Sequence, residues 1–145
     1  MATVFLVDDD VDGSEVVAQF LERAGHTVCQ SPGGHQALAS IPVILPDVIV
    51  TDIRMPHMDG VTFLTQLREE PLTAAIPALI LTGVSDPDLN WKAANLGVER
   101  IFLKGDYSLL DLLSCIESLV AAEQAPPPLA QHLLSPELKG AEPVA

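Results

Sequence analysis

The stretch "DVIVTDIRMPHMDG" (residues 47–60) joins a short apolar run to an acidic residue and a segment with turn-forming residues. Its first part, "DVIVT" (47–51), is rich in β-branched residues and predicts a β-strand. The run is apolar at successive positions rather than at alternate ones, which is typical of a strand buried on both faces. The stretch therefore predicts a central strand of a covered sheet, ending at Asp52.

Four further runs predict strands of the same kind: "TVFLV" (3–7), "TVCQ" (27–30), "PALILT" (77–82) and "RIFL" (100–103). Like the first, they are expected to be apolar on both faces, as in a parallel sheet between two layers of helices. Apolar residues at helical spacing predict helices over 14–24, 33–40, 60–69, 87–96 and 109–122. The alternation predicts an α/β fold, a doubly wound five-stranded parallel sheet of flavodoxin-like strand order 2-1-3-4-5.

Local signals set the predicted ends of the helices. The first helix is expected to bury a stripe made of Val16, Val17, Phe20, Leu21 and Ala24. Its end is predicted at Gly25, and that of the fourth helix at Gly97, because glycine is the usual residue after a helix C-terminus. Asp86 and Ser108 are predicted to cap the starts of the last two helices.

Composition limits the classes of function. The chain has 145 residues, which favours one domain, and its formal charge of −13 argues against a direct nucleic-acid partner. The two cysteines, Cys29 and Cys115, are far apart and lack metal-site spacing, so they are expected to be buried thiols in a reducing compartment. No apolar run approaches the ~18 residues of a membrane span. We therefore expect a cytoplasmic protein without a membrane partner.

The composition changes after Val120, where prolines become frequent and strand patterns stop. Consecutive prolines favour an extended, semi-rigid segment. The predicted organisation is one domain over residues 1–122, followed by a proline-rich C-terminal tail or linker over 123–145.

Polar residues follow four of the five predicted strands. The first strand is followed by Asp8 and Asp9, the third by Asp52 and the fifth by Lys104, while Thr82 ends the fourth. The carboxyl ends of parallel strands meet at one edge of the sheet, where ligands bind in folds of this type. These five side chains are therefore expected to form one site.

The chemistry of this predicted site favours a metal and a phosphoryl group. Two carboxylates at ~4 Å repel by about 4 kcal/mol at an effective dielectric constant near 20, so the cluster must hold a cation or stay partly protonated. Ligands that are all oxygen favour Mg²⁺, which shares its coordination with phosphate. Lys104 adds a positive charge and Thr82 a hydroxyl donor. The set predicts phosphorylation of Asp52.

Two other interpretations fit the segment after the first strand. The spacing of Asp8, Asp10, Asp12 and Gly13 matches half of an EF-hand calcium loop, but a strand precedes it and Gln19 stands where a bidentate Glu is needed. "DVDGS" (10–14) is similar to the nucleophile motif of haloacid-dehalogenase-type phosphatases. The alternative of a small Mg²⁺-dependent phosphohydrolase acting through Asp10 stays open, although Asp10 and Asp12 better suit the start of a helix.

Together with "FLVDDD" (5–10), "LILTG" (79–83) and "FLK" (102–104), the 47–60 stretch closely resembles the receiver domain of two-component response regulators. The resemblance covers roughly residues 2–122. It implies that Asp52 is the phosphoacceptor and that Thr82 and Lys104 contact the phosphoryl oxygens. It also implies a Mg²⁺ ion held by Asp8, Asp9, Asp52 and the backbone carbonyl of Arg54.

The same resemblance implies the partners. The phosphoryl group would come from a sensor histidine kinase or a histidine phosphotransfer protein, and the phosphorylated domain would act on a downstream protein. Such a domain phosphorylates and dephosphorylates itself but is not an enzyme for outside substrates. A receiver that works as an interaction module without phosphorylation is a further alternative.

Two residues depart from the pattern of that family. Gly105 follows Lys104 where proline is usual, and Ile101 occupies the place of a switching aromatic residue, while Phe102 is expected to face the other side of the sheet. We therefore expect the signal to leave through the segment after Thr82 and the 87–96 helix, on which Trp91 is predicted to be a surface residue.

Overall fold

The computed structural model describes residues 1–83 and 86–124, which form a parallel sheet with helices on both faces. The strands are β1 (Thr3–Val7), β2 (Thr27–Ser31), β3 (Val48–Thr51), β4 (Ala78–Thr82) and β5 (Val98–Leu103). The helices are α1 (Val11–Arg23), α2 (Gly34–Ile44), α3 (Gly60–Glu69), α4 (Pro87–Asn95) and α5 (Leu109–Gln124). The strand order is β2-β1-β3-β4-β5, so the predicted fold class and strand order are confirmed.

The two faces of the sheet bury separate apolar clusters. Val4 and Leu6 of β1 face the cluster under α1 and α5, whereas Phe5 and Val7 face the cluster under α2, α3 and α4. Successive residues of a strand point to opposite faces, and both faces are covered, so β1, β3 and β4 are buried at every position except the half-buried Thr3. Phe102 lies in the first cluster, as expected, opposite to its neighbour Ile101.

The expectation that all five strands are apolar on both faces is wrong for the two edge strands. β2 is mostly exposed or half-buried, and so is β5 outside Phe102. β5 also starts two residues before the predicted position, at Val98, with the exposed Glu99 and Arg100. An edge strand has a neighbour on one side only, so the helices that cover the centre of the sheet leave part of it in contact with solvent.

The predicted buried stripe of α1 needs correction. The helix begins at Val11 rather than at residue 14, and its buried residues are Ser14, Val17, Ala18 and Leu21. Val16 is 60% exposed, and Ala24 is exposed beyond the helix end. The buried set follows the i, i+3, i+4, i+7 spacing of one helix face, onto which Val16 does not fall.

Capping residues define most helix boundaries, as predicted at Asp10, Asp86 and Ser108 and additionally at Asp59. The side chains of Asp10, Asp59 and Asp86 accept hydrogen bonds from the first turns of α1, α3 and α4, and Ser108 Oγ accepts one from the Asp111 N–H at 3.0 Å. Gly25 and Gly97 adopt φ of +100° and +80°, the left-handed conformation that ends α1 and α4. α2 continues to Ile44, beyond the predicted end at residue 40, with Pro42 inside the helix.

Cys29 and Cys115 are half-buried rather than buried as expected, because Cys29 lies on the edge strand β2 and Cys115 beside the buried stripe of α5. Among the described residues, no helix is long and apolar enough to cross a membrane. Most of the predicted proline-rich tail, residues 125–145, lies outside the described residues.

Candidate functional site

The predicted acidic residues meet at the carboxyl edge of the sheet. Asp8 and Asp9 follow β1 and Asp52 follows β3, and these strands are neighbours paired from Val4↔Val48 to Val7↔Thr51. The N–H of Asp52 donates to the carbonyl of Val7 at 2.9 Å, which continues the pairing. One carboxylate oxygen from each of Asp8, Asp9 and Asp52 lies within 4.8 Å of the other two.

Asp52 is held at the floor of this cluster, with its side chain 9% exposed. Its Oδ1 accepts a hydrogen bond from the N–H of Ile53 at 2.7 Å, and its Oδ2 lies 3.4 Å from Lys104 Nζ. Behind it, the backbone of Gly60 packs so closely that a Cβ atom there would lie 2.3 Å from the Asp52 carbonyl oxygen. The position of Asp52 is therefore fixed from both sides.

Asp8 has partners for both of its carboxylate oxygens. Oδ1 accepts from the N–H of Asp10 at 2.9 Å, and Oδ2 accepts from Lys104 Nζ at 2.7 Å. Burial raises the pKa of Asp8 above its ordinary value, and these two hydrogen bonds lower it only in part. A cation that binds the carboxylate would oppose this effect of burial.

Lys104 brings its ammonium group from β5 across the site. Burial lowers the pKa of Lys104, but the hydrogen bond to Asp8 and the charges of Asp8 and Asp52 outweigh it, so the net pKa is raised. The neighbouring Gly105 adopts φ +84°, which a proline ring, fixed near −65°, cannot reach. Gly105 therefore gives the chain after Lys104 a backbone conformation that a proline at this position could not adopt.

Thr82 ends β4 beside the same edge. It is 1% exposed, and its carbonyl accepts from the N–H of Lys104 at 2.7 Å. The register pairs Thr82 with Leu103, the residue before the lysine. The strand ends therefore bring together Asp8, Asp9, Asp52 and Lys104 as the sequence predicts, with Thr82 next to Lys104 through the backbone.

The side chain of Arg54 pairs with a residue outside this cluster. Its guanidinium forms an ion pair with Asp86, the N-cap of α4, and is 57% exposed. The sequence indicates a role for the carbonyl of Arg54 and a cap at Asp86, but the ion pair has no local signal, because the two residues are 32 positions apart. The close packing of Gly60 was likewise not predicted, and its one signal in the sequence is the glycine itself.

The donor set fits a magnesium ion. Three carboxylates on adjacent strand ends provide hard oxygen ligands, and Asp9 is exposed, which leaves room for the waters that Mg²⁺ retains. Next to the cluster, a cavity of about 360 Å³ extends between α1 and the start of α5. Its walls include Leu6, Val17, Leu81, Tyr107 and Leu109.

The other interpretations of the first acidic segment find no support here. Asp10 is the N-cap of α1, and its Oδ1 accepts from the N–H of Gly13 at 3.2 Å. β1 ends at Val7, so the residues at the strand end are Asp8 and Asp9, and a β-strand, not a helix, precedes the segment. The calcium loop is therefore excluded, and Asp10 caps the helix instead of occupying the strand-end position that a nucleophile would need.

A family model described as response regulator receiver domain matches residues 4–114 of the chain. The DNA-binding transcriptional regulator NtrC of Salmonella typhimurium is 38% identical over 122 residues, 83% of this chain and 25% of that protein. RpaA, a DNA-binding dual master transcriptional regulator of Synechocystis, is 29% identical over 132 residues, 91% of this chain and 54% of that protein. The structure of the Vibrio cholerae chemotaxis protein CheY4 superposes with a TM-score of 0.75 at 28% identity, covering 82% of this chain and 98% of that one.

The chain belongs to the family of response regulator receiver domains. It is a module of phosphorylation-dependent two-component signalling, as its homology to NtrC, RpaA and CheY4 shows. It spans about half or less of the length of these two transcriptional regulators.

Proposed function

We propose that Asp52 is the phosphoacceptor of this receiver domain and that Asp8, Asp9 and Asp52, with the carbonyl of Arg54, hold Mg²⁺. The observation that carries the proposal is the placement of Lys104 Nζ, 2.7 Å from Asp8 and 3.4 Å from Asp52, beside three converging carboxylates. A cation and an acidic cluster at one sheet edge suit a phosphoryl group bound to a carboxylate.

The hydrogen bonds favour Asp52 over its neighbours as the nucleophile. Both oxygens of Asp8 accept short hydrogen bonds, whereas Oδ2 of Asp52 has, within the part of the chain that the structure describes, only the longer contact with Lys104. Asp9 is exposed, and among the described residues no backbone N–H donates to its carboxylate as that of Ile53 does to Asp52. Oδ2 of Asp52 is therefore the oxygen that is both positioned and available for attack.

In the proposed reaction, Asp52 Oδ2 attacks the phosphorus of a phosphohistidine. A P–O bond forms, the P–N bond breaks, and the imidazole leaves with the electron pair. The ammonium of Lys104 and the hydroxyl of Thr82 stabilise the phosphoryl oxygens, and Mg²⁺, when bound, offsets their negative charge. The donor would be a sensor histidine kinase or a histidine phosphotransfer protein.

We infer that the phosphorylated domain then changes its affinity for a downstream protein and that water later hydrolyses the acyl phosphate. No outside substrate is turned over in this scheme. The receiver unit would span residues 1–122, with residues 123–145 as a tail or linker, in keeping with the family match over residues 4–114.

Intact-mass measurement after incubation with acetyl phosphate and Mg²⁺ tests the acceptor. One phosphoryl group should add to the wild type and none to Asp52→Asn. Asp12→Asn is the matched control, because Asp12 is an exposed carboxylate in α1 outside the cluster, and it should label like the wild type. Full labelling of Asp52→Asn would refute the assignment, and a wild type that never labels would favour an interaction module that works without phosphorylation.

A further inference from the structure

The ion pair between Arg54 and Asp86 joins the acceptor segment to the start of α4. Arg54 is two residues after Asp52, and Asp86 is the residue from which α4 begins. The two oxygens of the Asp86 carboxylate contact different groups. Oδ1 accepts from the N–H of Leu89 at 3.2 Å, and Oδ2 pairs with the guanidinium of Arg54.

This arrangement places the first turn of α4 under the influence of a group beside the acceptor. The carboxylate of Asp86 accepts from the N–H of Leu89 and pairs with the guanidinium of Arg54, and both contacts favour its charged form. A charged N-cap favours the helix start because it faces the positive end of the helix dipole. The orientation of that cap is shared between Leu89 and Arg54.

We propose that Arg54 is a positioning residue that exchanges partners on phosphorylation, leaving Asp86 for the phosphoryl group on Asp52 and loosening the first turn of α4. The inference rests on the proposed function of Asp52. It adds a route by which the charge of the phosphoryl group reaches α4.

The change in charge on phosphorylation acts in the direction of this exchange. The phosphoryl group on Asp52 carries close to two negative charges where the carboxylate carried one, so the site becomes about one charge more negative, and it gains acceptor oxygens with which arginine pairs well. Arg54 belongs to the segment that rims Asp52, and its side chain is more than half exposed, so the guanidinium can rotate without disturbing the core. The loss of Arg54 leaves the Asp86 carboxylate held only by its hydrogen bonds to the backbone of Asp88 and Leu89 in the first turn of α4.

The proposed exchange of partners by Arg54 is also compatible with an isoleucine at position 101 in place of an aromatic residue. Ile101 packs among the apolar residues of the cluster under α2, α3 and α4, and it carries no ring that could change its orientation to report on the site. The ion pair between Arg54 and Asp86 at the start of α4 does not require such a ring. Trp91, 70% exposed one turn into α4, is a built-in reporter of that helix.

The test follows the backbone amide of Leu89 by NMR hydrogen exchange, with and without beryllofluoride and Mg²⁺ as the phosphoryl mimic. In the wild type, the mimic should speed exchange at Leu89 by about two- to five-fold, the range expected for loss of an exposed ion pair. Arg54→Gln should show the faster rate without the mimic and no further change with it. Arg54→Lys, which keeps the charge, should restore part of the response.

Binding of the mimic gives a second measurement that a purely structural role would not move. Asp86→Asn preserves the cap, because asparagine is a good N-cap residue, but it frees Arg54, so beryllofluoride should bind about two- to five-fold more tightly than to the wild type. Arg23→Gln, which removes an exposed charge at the end of α1, is the control and should behave as the wild type.

An exchange response in Arg54→Gln equal to that of the wild type would overturn the inference, and so would unchanged affinity of Asp86→Asn for the mimic. These results would leave the proposed acceptor intact, because that is tested by labelling of Asp52. A wild type that binds no beryllofluoride would contradict the proposed function and this inference together.

Discussion

Replacement of Gly60 by alanine tests how Asp52, the proposed acceptor, is held in place. Gly60 is the first residue of α3, and its N–H donates to the carbonyl of Ile53 at 2.6 Å. An added Cβ atom would lie 2.3 Å from the carbonyl oxygen of Asp52 and 2.9 Å from the Cα of Ile53. Both contacts are with backbone, which cannot rotate away as a flexible side chain would.

The expected size of the effect follows from those distances. Relief of the shortest contact requires a displacement of about 1 Å, and overpacking of this kind typically costs about 1–3 kcal/mol. With the hydrogen bond to Ile53 also strained, we expect a loss of about 2 kcal/mol in the free energy of unfolding. For a domain of this size, that lowers Tm by about 6–10 °C.

The same displacement should impair phosphorylation, because a nucleophile misplaced by about 1 Å can lose up to about 100-fold in rate. Calorimetry measures the first effect, and the rate of labelling by acetyl phosphate, taken well below the lowered Tm, measures the second. Gly33→Ala is the control, since a Cβ atom at Gly33 meets nothing within 4 Å. If Gly60→Ala melts within about 1 °C of the wild type and labels at the same rate, the packing argument fails.

Three further predictions concern the metal, the pH dependence and the backbone. Mg²⁺ at about 100 times its Kd should stabilise the wild type by about 2.7 kcal/mol, and Asp9→Ala should lose most of the resulting gain in Tm, whereas an unchanged gain would place the metal elsewhere. The pKa of Asp8 is raised in the folded state above its ordinary value of 3.8, so ionisation of Asp8 destabilises the fold as the pH rises through the folded pKa. In EDTA, the Tm of the wild type should therefore fall relative to that of Asp8→Asn between acid and neutral pH. Parallel pH profiles of the two proteins would contradict this. His57 has φ +69°, a left-handed conformation that glycine adopts without strain, so His57→Gly should raise the free energy of unfolding by about 0.5 kcal/mol in urea titration. His35→Gly is the control and should lower it, because His35 lies inside α2. A loss of stability in both variants would refute the strain argument.

Much of the fold follows from local sequence. The central strands were predicted to within one residue because both of their faces are buried, which makes the apolar runs continuous. Helix starts at Asp86 and Ser108 were predicted because capping involves residues three apart in the chain. The convergence of Asp8, Asp9, Asp52 and Lys104 followed from one rule, that the carboxyl ends of parallel strands share an edge.

The tertiary structure decided how those residues interact. The sequence predicts that Lys104 lies near three carboxylates, but only the packed geometry gives Asp8 its shorter bond and leaves Asp52 Oδ2 the longer one. Likewise, the exposure of Val16 depends on where α1 settles against the sheet. Such differences arise from displacements of under 1 Å or from rotation of a helix, which no short-range pattern encodes.

The ion pair of Arg54 and Asp86 shows most clearly which contacts short-range sequence patterns do not predict. Each residue has a local meaning in the sequence, Arg54 in the segment after the proposed acceptor and Asp86 at a helix start, and the structure confirms the cap at Asp86. Their contact exists because two segments 32 residues apart are packed side by side at the carboxyl edge of the sheet. Sequence determines capping and strand burial through short-range geometry, whereas long-range pairing depends on how all five strands and their helices pack together.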